Sequence, residues 1–255
     1  MSSNARMPLL EHFQELRQRL FKSAVLITVG AFVGWFYYDF LINKLAAPVC
    51  DLSQAQTSGS THCGVLYING VLGPVDLKFK ISILIGVLIT SPFWIYQLWA
   101  FITPALHAKE KRNSILFALF AIPFFAIGVT VGYVVLPIAV KVLLGFTPGT
   151  LSNLVRFDDY LSFVTQILLT FGVAFELPVF LVALNLAGVI RGRSILKPWR
   201  YSVFGILLFA AIFTPTGDPF TMLLLGVPLT LLYFLAGSIA LLVDRKRDKK
   251  TTDLE

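Results

Sequence analysis

Three glutamates in this chain stand where a carboxylate has chemistry open to it. Glu15 lies in His12-Phe13-Gln14-Glu15-Leu16-Arg17-Gln18-Arg19-Leu20, an acid held among bases. Glu110 lies in Ala108-Lys109-Glu110-Lys111-Arg112, again flanked by cations. A carboxylate accepts two parallel N–H bonds from a guanidinium, and such charge-assisted contacts contribute about 1.5–3 kcal/mol each when partly desolvated. Two such acids on one surface suit a ligand with paired arginines. Taken alone, Glu110 reads better as a solvated acid among solvated bases, worth under about 1 kcal/mol. His12 shares a side with Glu15, three residues away, and is expected to orient it.

The third acid, Glu176, falls inside the apolar run Phe171-Gly172-Val173-Ala174-Phe175-Glu176-Leu177-Pro178. In a bilayer such a group is costly unless protonated, hydrated or paired. It reads as a polar point or protonation site on a transport path. The structural alternative is a neutral Glu bonded to the carbonyl freed by Pro178 or to a nearby Thr. Asp218, in Thr214-Pro215-Thr216-Gly217-Asp218-Pro219, has the chemistry of a turn and a helix N-cap. The aromatics Phe93, Trp94, Tyr96 and Trp99 read as packing and interface belt. No Walker loop, G-x-S-x-G or H-E-x-x-H is present, so an enzyme lacks its usual residues and none is expected. No cofactor is expected either.

The elements that carry these residues are membrane helices. The 255 residues are 56% hydrophobic and 14% charged, with mean hydropathy +0.78. The stretches Ile81 to Ala108, Asn113 to Val140 and Phe220 to Val243 hold no charge. A helix needs roughly 20 apolar residues to cross the hydrocarbon core. Backbone groups in lipid must be satisfied internally, and the runs do not alternate as barrel strands do. Six transmembrane helices are read near 22–40, 81–103, 114–140, 160–189, 200–214 and 220–243. The fold class is therefore all-α, a polytopic membrane protein and a single integral membrane domain over 1–255.

Leu9, Leu10, Phe13, Leu16 and Leu20 recur at three- and four-residue steps, so residues 1–21 predict an amphipathic cytoplasmic helix that continues into the first span. That span starts too late and lacks the cleavage pattern of a signal peptide. Net charge is +7. With both termini inside, every Lys and Arg except Lys44, Lys78, Lys80, Lys141 and Arg156 falls on the inside, which sets the topology N-in/C-in. It also removes nucleic acid as the reason for the basicity. The first outside loop is expected over 43–76 and a cytoplasmic tail over 242–255. Pro92, Pro123, Pro137, Pro178 and Pro228 fall within spans and predict bent helices and a concave bundle. Helices five and six are expected to be short, a stunted hairpin that thins the bilayer locally. The alternative is a helix five extended by Trp199 and Arg200.

Cys50 and Cys63 are the only cysteines. Both fall in the first outside loop, where disulfides are permitted. A bridge over a loop of about 14 residues would contribute on the order of 3 kcal/mol. With only His62 beside them, the ligand count is too poor for a metal site.

The run His12 to Leu20 resembles the N-terminal segment of the TatC family of twin-arginine protein translocases. So do Tyr96-Gln97-Leu98-Trp99-Ala100-Phe101-Ile102-Thr103-Pro104-Ala105-Leu106, followed by Glu110, and the run Phe171 to Pro178. The likeness spans nearly the whole chain in motif order. It implies a receptor for twin-arginine signal peptides and the core of a translocase that exports folded proteins across the cytoplasmic membrane, driven by the proton-motive force. Glu15 and Glu110 match the family's recognition acids. Leu16, Arg17, Phe101 and Pro104 match the same cytoplasmic site, and Glu176 matches a membrane-buried glutamate. The family often has Pro-Pro-Asp at the last outer turn and a glutamine soon after. Here the turn is Thr216-Gly217-Asp218-Pro219, with Met222 near the glutamine position. Implied partners are the single-span TatA and TatB proteins, docking on helices five and six of a hetero-oligomer. A proton-coupled small-molecule transporter is the alternative, resting on Glu176.

Overall fold

A computed structural model describes residues 9–50, 66–106, 111–148, 154–214 and 218–252. Its order is α1 (Leu9–Phe36), α2 (Tyr38–Cys50), β1 (Leu66–Tyr67), α3 (Gly73–Ile89), α4 (Ser91–Leu106), α5 (Lys111–Gly145), β2 (Val155–Arg156), α6 (Phe157–Ala174), α7 (Glu176–Leu186), α8 (Gly192–Leu196), α9 (Trp199–Phe213) and α10 (Pro219–Thr252). The all-α reading holds. Four stretches are long and apolar enough to span a membrane singly, a fifth is the α3–α4 pair, and α9 is a shorter apolar helix.

The amphipathic N-terminal stretch and the first span form one helix, α1, as its unbroken periodicity predicts. Its outward residues Phe21, Val25, Phe32 and Phe36 are exposed apolar groups, which lipid would cover. Its inner face is glycine. A Cβ on Gly86 of α3 would stand 2.6 Å from the backbone at Ile27 and Ala31, and one on Gly34 would meet the Ser82 carbonyl at 3.0 Å. Small residues let the two backbones approach, the usual basis of helix contact in lipid. The α5–α6 contact repeats the device: a Cβ on Gly128 would lie 2.6 Å from the Phe171 carbonyl, and one on Gly172 would meet the Phe125 ring at 2.6 Å.

The prolines act in two ways. Pro123 and Pro137 lie inside α5 and Pro228 inside α10. Pro92 and Pro178 instead fall in the first turns of α4 and α7, where a missing N–H costs least. Spans two and four are therefore each built from two helices, and α3 and α4 meet at a bend of 58°. At that bend the Thr90 hydroxyl donates to the Gly86 carbonyl at 2.6 Å.

Helix α9 is short. Its 15 residues begin at Trp199 and span about 22 Å, against a core of about 30 Å. Helix six departs from expectation: α10 runs for 34 residues, because no proline after Pro228 separates its apolar stretch from the charged segment that begins at Asp244. The Gln166 amide of α6 donates to the Phe213 carbonyl at 3.1 Å, satisfying the end of α9. Helix α2 occupies the start of the stretch read as the first outside loop, and α3 already begins at Gly73.

A two-residue parallel ladder was not foreseen: Leu66 pairs with Val155 and Tyr67 with Arg156. It joins the chain before α3 to the chain before α6. Nearby, Lys80 bonds Asp158 and pairs with Asp76 at 3.1 Å. The main core lies between α3, α5 and α6, around Leu77, Ile81, Leu136, Leu161 and Val164. A second cluster, around Ile95, Trp99, Phe125 and Ala183, joins α4, α5 and α7.

Candidate functional site

Glu15 points from α1 toward α4. Its Oε1 accepts from Arg19 Nε at 2.9 Å and Nη2 at 2.6 Å, while Arg19 Nη1 donates to Gln97 Oε1 at 3.1 Å. The side chains of Arg19 and Glu15 are only 24% and 26% exposed, so this pair is partly desolvated and stronger than a surface one. Glu15 thus already holds a guanidinium, supplied by its own helix one turn on. Leu16 is half-buried and Arg17 exposed. Phe101 is half-buried and follows Gln97 by four residues on the same side of α4. Pro104 belongs to α4, but its side chain, that of His12, and all of Glu110 lie outside the described residues.

Sequence reasoning missed the roles of Arg19 and Gln97. The Glu15–Arg19 spacing was a legible signal, since residues four apart share a helix face. Nothing local marked Gln97.

Glu176 opens α7 at the break after Phe175. Neither local partner foreseen for it is used. Trp99, 2% exposed, donates its indole N–H to Glu176 Oε2 at a long 3.4 Å. The other oxygen, Oε1, is buried and has no hydrogen-bond partner among the described residues. Trp99 is held in turn by stacking on Phe117 at 5.6 Å and by Phe180 at 6.3 Å. The reading of Trp99 as packing and interface belt is therefore corrected, since it is buried and also supplies a donor. Trp94 likewise is more than belt, donating to the Val87 carbonyl at 2.9 Å across the α3–α4 bend. A half-satisfied carboxylate beside an indole can hold one more donor or retain its proton.

Asp218 caps α10. Its Oδ1 accepts from the backbone N–H of Phe220 at 3.0 Å and Thr221 at 2.9 Å. That is the N-cap chemistry read from the turn. Among the described residues no group of His, Cys, Asp and Glu could hold a metal, and there is no free cysteine.

Residues 11–228 match the family described as Sec-independent protein translocase protein (TatC). The chain belongs to the TatC family. It is 42% identical over 247 residues to the TatC protein of Xylanimonas cellulosilytica, covering 96% of this chain and 88% of that one. It is 34% identical to that of Aquifex aeolicus, covering 94% and 98%. Among solved structures it resembles a crystal structure of the twin-arginine translocase receptor TatC in DDM, with TM-score 0.76 and 32% identity over 90% of this chain and 99% of that chain. These TatC matches support a multi-pass membrane protein of a translocase and leave the small-molecule transporter without support.

Proposed function

We propose that this chain is the receptor for twin-arginine signal peptides and the core subunit of a translocase that exports folded proteins, driven by the proton-motive force. The observation that carries this reading is Glu15 bound to a guanidinium at the α1–α4 contact. Arg19 there occupies the geometry that an incoming arginine needs. The peptide's first arginine takes Glu15 from Arg19, and its second takes Glu110. Leu16, Arg17, Phe101 and Pro104 line the same site. Glu176, which accepts from Trp99 of α4, serves a later step as a polar contact for a chain entering the bilayer.

The site faces the cytoplasm of a cytoplasmic membrane, with both termini inside. The distribution of Lys and Arg supports this. The β1–β2 ladder supports it too, since it pairs two segments both read as outside. Single-span TatA and TatB proteins are the partners, against α9 and α10. Cys50, which ends α2, is bridged to Cys63.

Photo-crosslinkers at positions 15 and 110 should capture a twin-arginine peptide and not a twin-lysine one, because lysine lacks the planar fork. Glu15→Ala or Glu110→Ala should weaken peptide binding by about tenfold or more, as expected for one charge-assisted contact. Wild-type affinity in both variants would remove the assignment.

A further inference from the structure

The guanidinium seated at the α1–α4 contact is gripped from two helices. Glu15 Oε1 takes the Nε and Nη2 groups of Arg19, which form one edge of the guanidinium plane. The other side of the plane is met by α4, where Nη1 donates to Gln97 Oε1 at 3.1 Å. All three nitrogens are therefore engaged, two by a carboxylate and one by an amide.

The two acceptors differ in what they select. A carboxylate attracts an ammonium and a guanidinium alike. A second acceptor beyond it favours the guanidinium, which reaches it with a separate nitrogen of a rigid plane, whereas lysine brings one nitrogen on a flexible stem. An amide suits that second place. Its oxygen accepts the bond without adding another negative charge that would also hold lysine.

The fold holds Gln97 in place. Ile95 and Trp99, two residues to either side of it, are buried in the cluster with α5 and α7. Residues two apart on a helix point about 200° from each other, so the burial of Ile95 and Trp99 turns Gln97 the other way, to α1. The α3–α4 bend fixes the helix further, through the Thr90 hydroxyl and the Trp94 indole. Among the described residues, the bond to Arg19 is the one hydrogen bond that the Gln97 side chain makes. The packing of α4 therefore does not depend on an amide at this position.

We propose that Gln97 is a specificity-determining residue of the peptide site: it accepts from the far side of the first arginine once that arginine replaces Arg19 at Glu15, and so makes this position reject lysine. The proposal rests on the peptide-receptor reading and assigns to α4 a part of the recognition that the two acids do not supply.

Labelled signal peptides carrying Arg-Arg, Lys-Arg or Arg-Lys, titrated against the full chain in detergent, test it. The wild type should prefer Arg-Arg over both others. Gln97→Leu and Gln97→Met, the second a near match in shape, should cut the preference for Arg-Arg over Lys-Arg by about threefold to tenfold, the weight of one hydrogen bond. The preference for Arg-Arg over Arg-Lys should stay as it was. Both variants also release Arg19, which then competes with every peptide alike and cancels in these ratios. A disturbed fold would likewise weaken all three peptides by one factor. An equal loss for all three, ratios equal to those of the wild type, or a loss of the Arg-Lys ratio instead would each overturn the proposal. Glu15→Ala separates this from the reading beneath it. Wild-type affinity of that variant for Arg-Arg would remove the site as a whole, whereas its loss together with unchanged ratios in the Gln97 variants would remove only the role of Gln97.

Discussion

At the scale of the residue, the chemistry is concentrated in two carboxylates with different solvation. Glu15 is paired and partly exposed; Glu176 is buried and half-satisfied. If Arg19 holds the place of a ligand arginine, removing it frees the acid. Arg19→Gln should then raise peptide affinity by at least about twofold, because an exposed i,i+4 pair is worth about 0.3–0.5 kcal/mol and this partly desolvated one is worth more. Titration of a labelled peptide against both proteins measures this, and a fall in affinity would make Arg19 a positioning group instead. Glu176 divides differently. Glu176→Gln keeps a hydrogen-bonding group for Trp99, whereas Glu176→Leu keeps neither the bond nor the proton. Gln is expected to retain much of the export and Leu little, with peptide binding unchanged in both. Loss of export in both would assign the role to the proton, and normal export with Leu at normal protein level would leave Glu176 a packing residue.

At the scale of the element, α4 links the two acids. Gln97 faces Glu15 through Arg19, and Trp99, two residues on, faces Glu176. The helix is fixed by the Thr90 bend and by the cluster around Ile95 and Phe125. Its neighbours depend on glycine contacts. Gly86→Ala should destabilise the protein by about 1–3 kcal/mol, the usual cost of overpacking, because backbone on α1 leaves its methyl no room. Gly205→Ala is the matched control: nothing lies within 4 Å of its Cβ, and the melting temperature should hold or rise. Thermal melts in detergent compare them, and equal melting would show that α1 and α3 separate more easily than their geometry suggests. The glycine spacings Gly30–Gly34 and Gly128–Gly132 were visible signals for close helix contact. The helix breaks at Thr90 and Phe175 were not, since a proline within an apolar run reads equally as a kink or as the first turn of a new helix.

At the scale of the whole molecule, the chain before α3 and the chain before α6 are tied together on one side by β1–β2 and the Lys80–Asp158 bond. A Cys50–Cys63 bridge would restrain the segment leading into β1. Alkylation under denaturing conditions, with and without reductant, should label the two thiols only after reduction. Two thiols labelled freely without reductant would remove the bridge. Five of the expected membrane spans, the capping role of Asp218 and the continuity of α1 were legible because each depends on a short window of sequence. A bilayer also penalises any unsatisfied backbone group, so length and hydropathy are nearly sufficient to place a helix.

What only the tertiary structure decided is which face each helix turns to its neighbours. Lipid tails are as apolar as leucine, so hydropathy says little about helix rotation, which is settled by close packing of small residues and by polar groups seeking partners. That is why Glu15, Glu110 and Glu176 stand out in the sequence while two of their polar neighbours do not. Arg19 meets Gln97 across 78 residues and Trp99 meets Glu176 across 77, contacts that no local window contains. The seating of α8 on α10 arises in the same way: Arg191 and Arg193 read in sequence as ordinary inside charge, and only the close approach of Gly192 to Leu241 brings them beside Asp244 and Arg245 around one cavity.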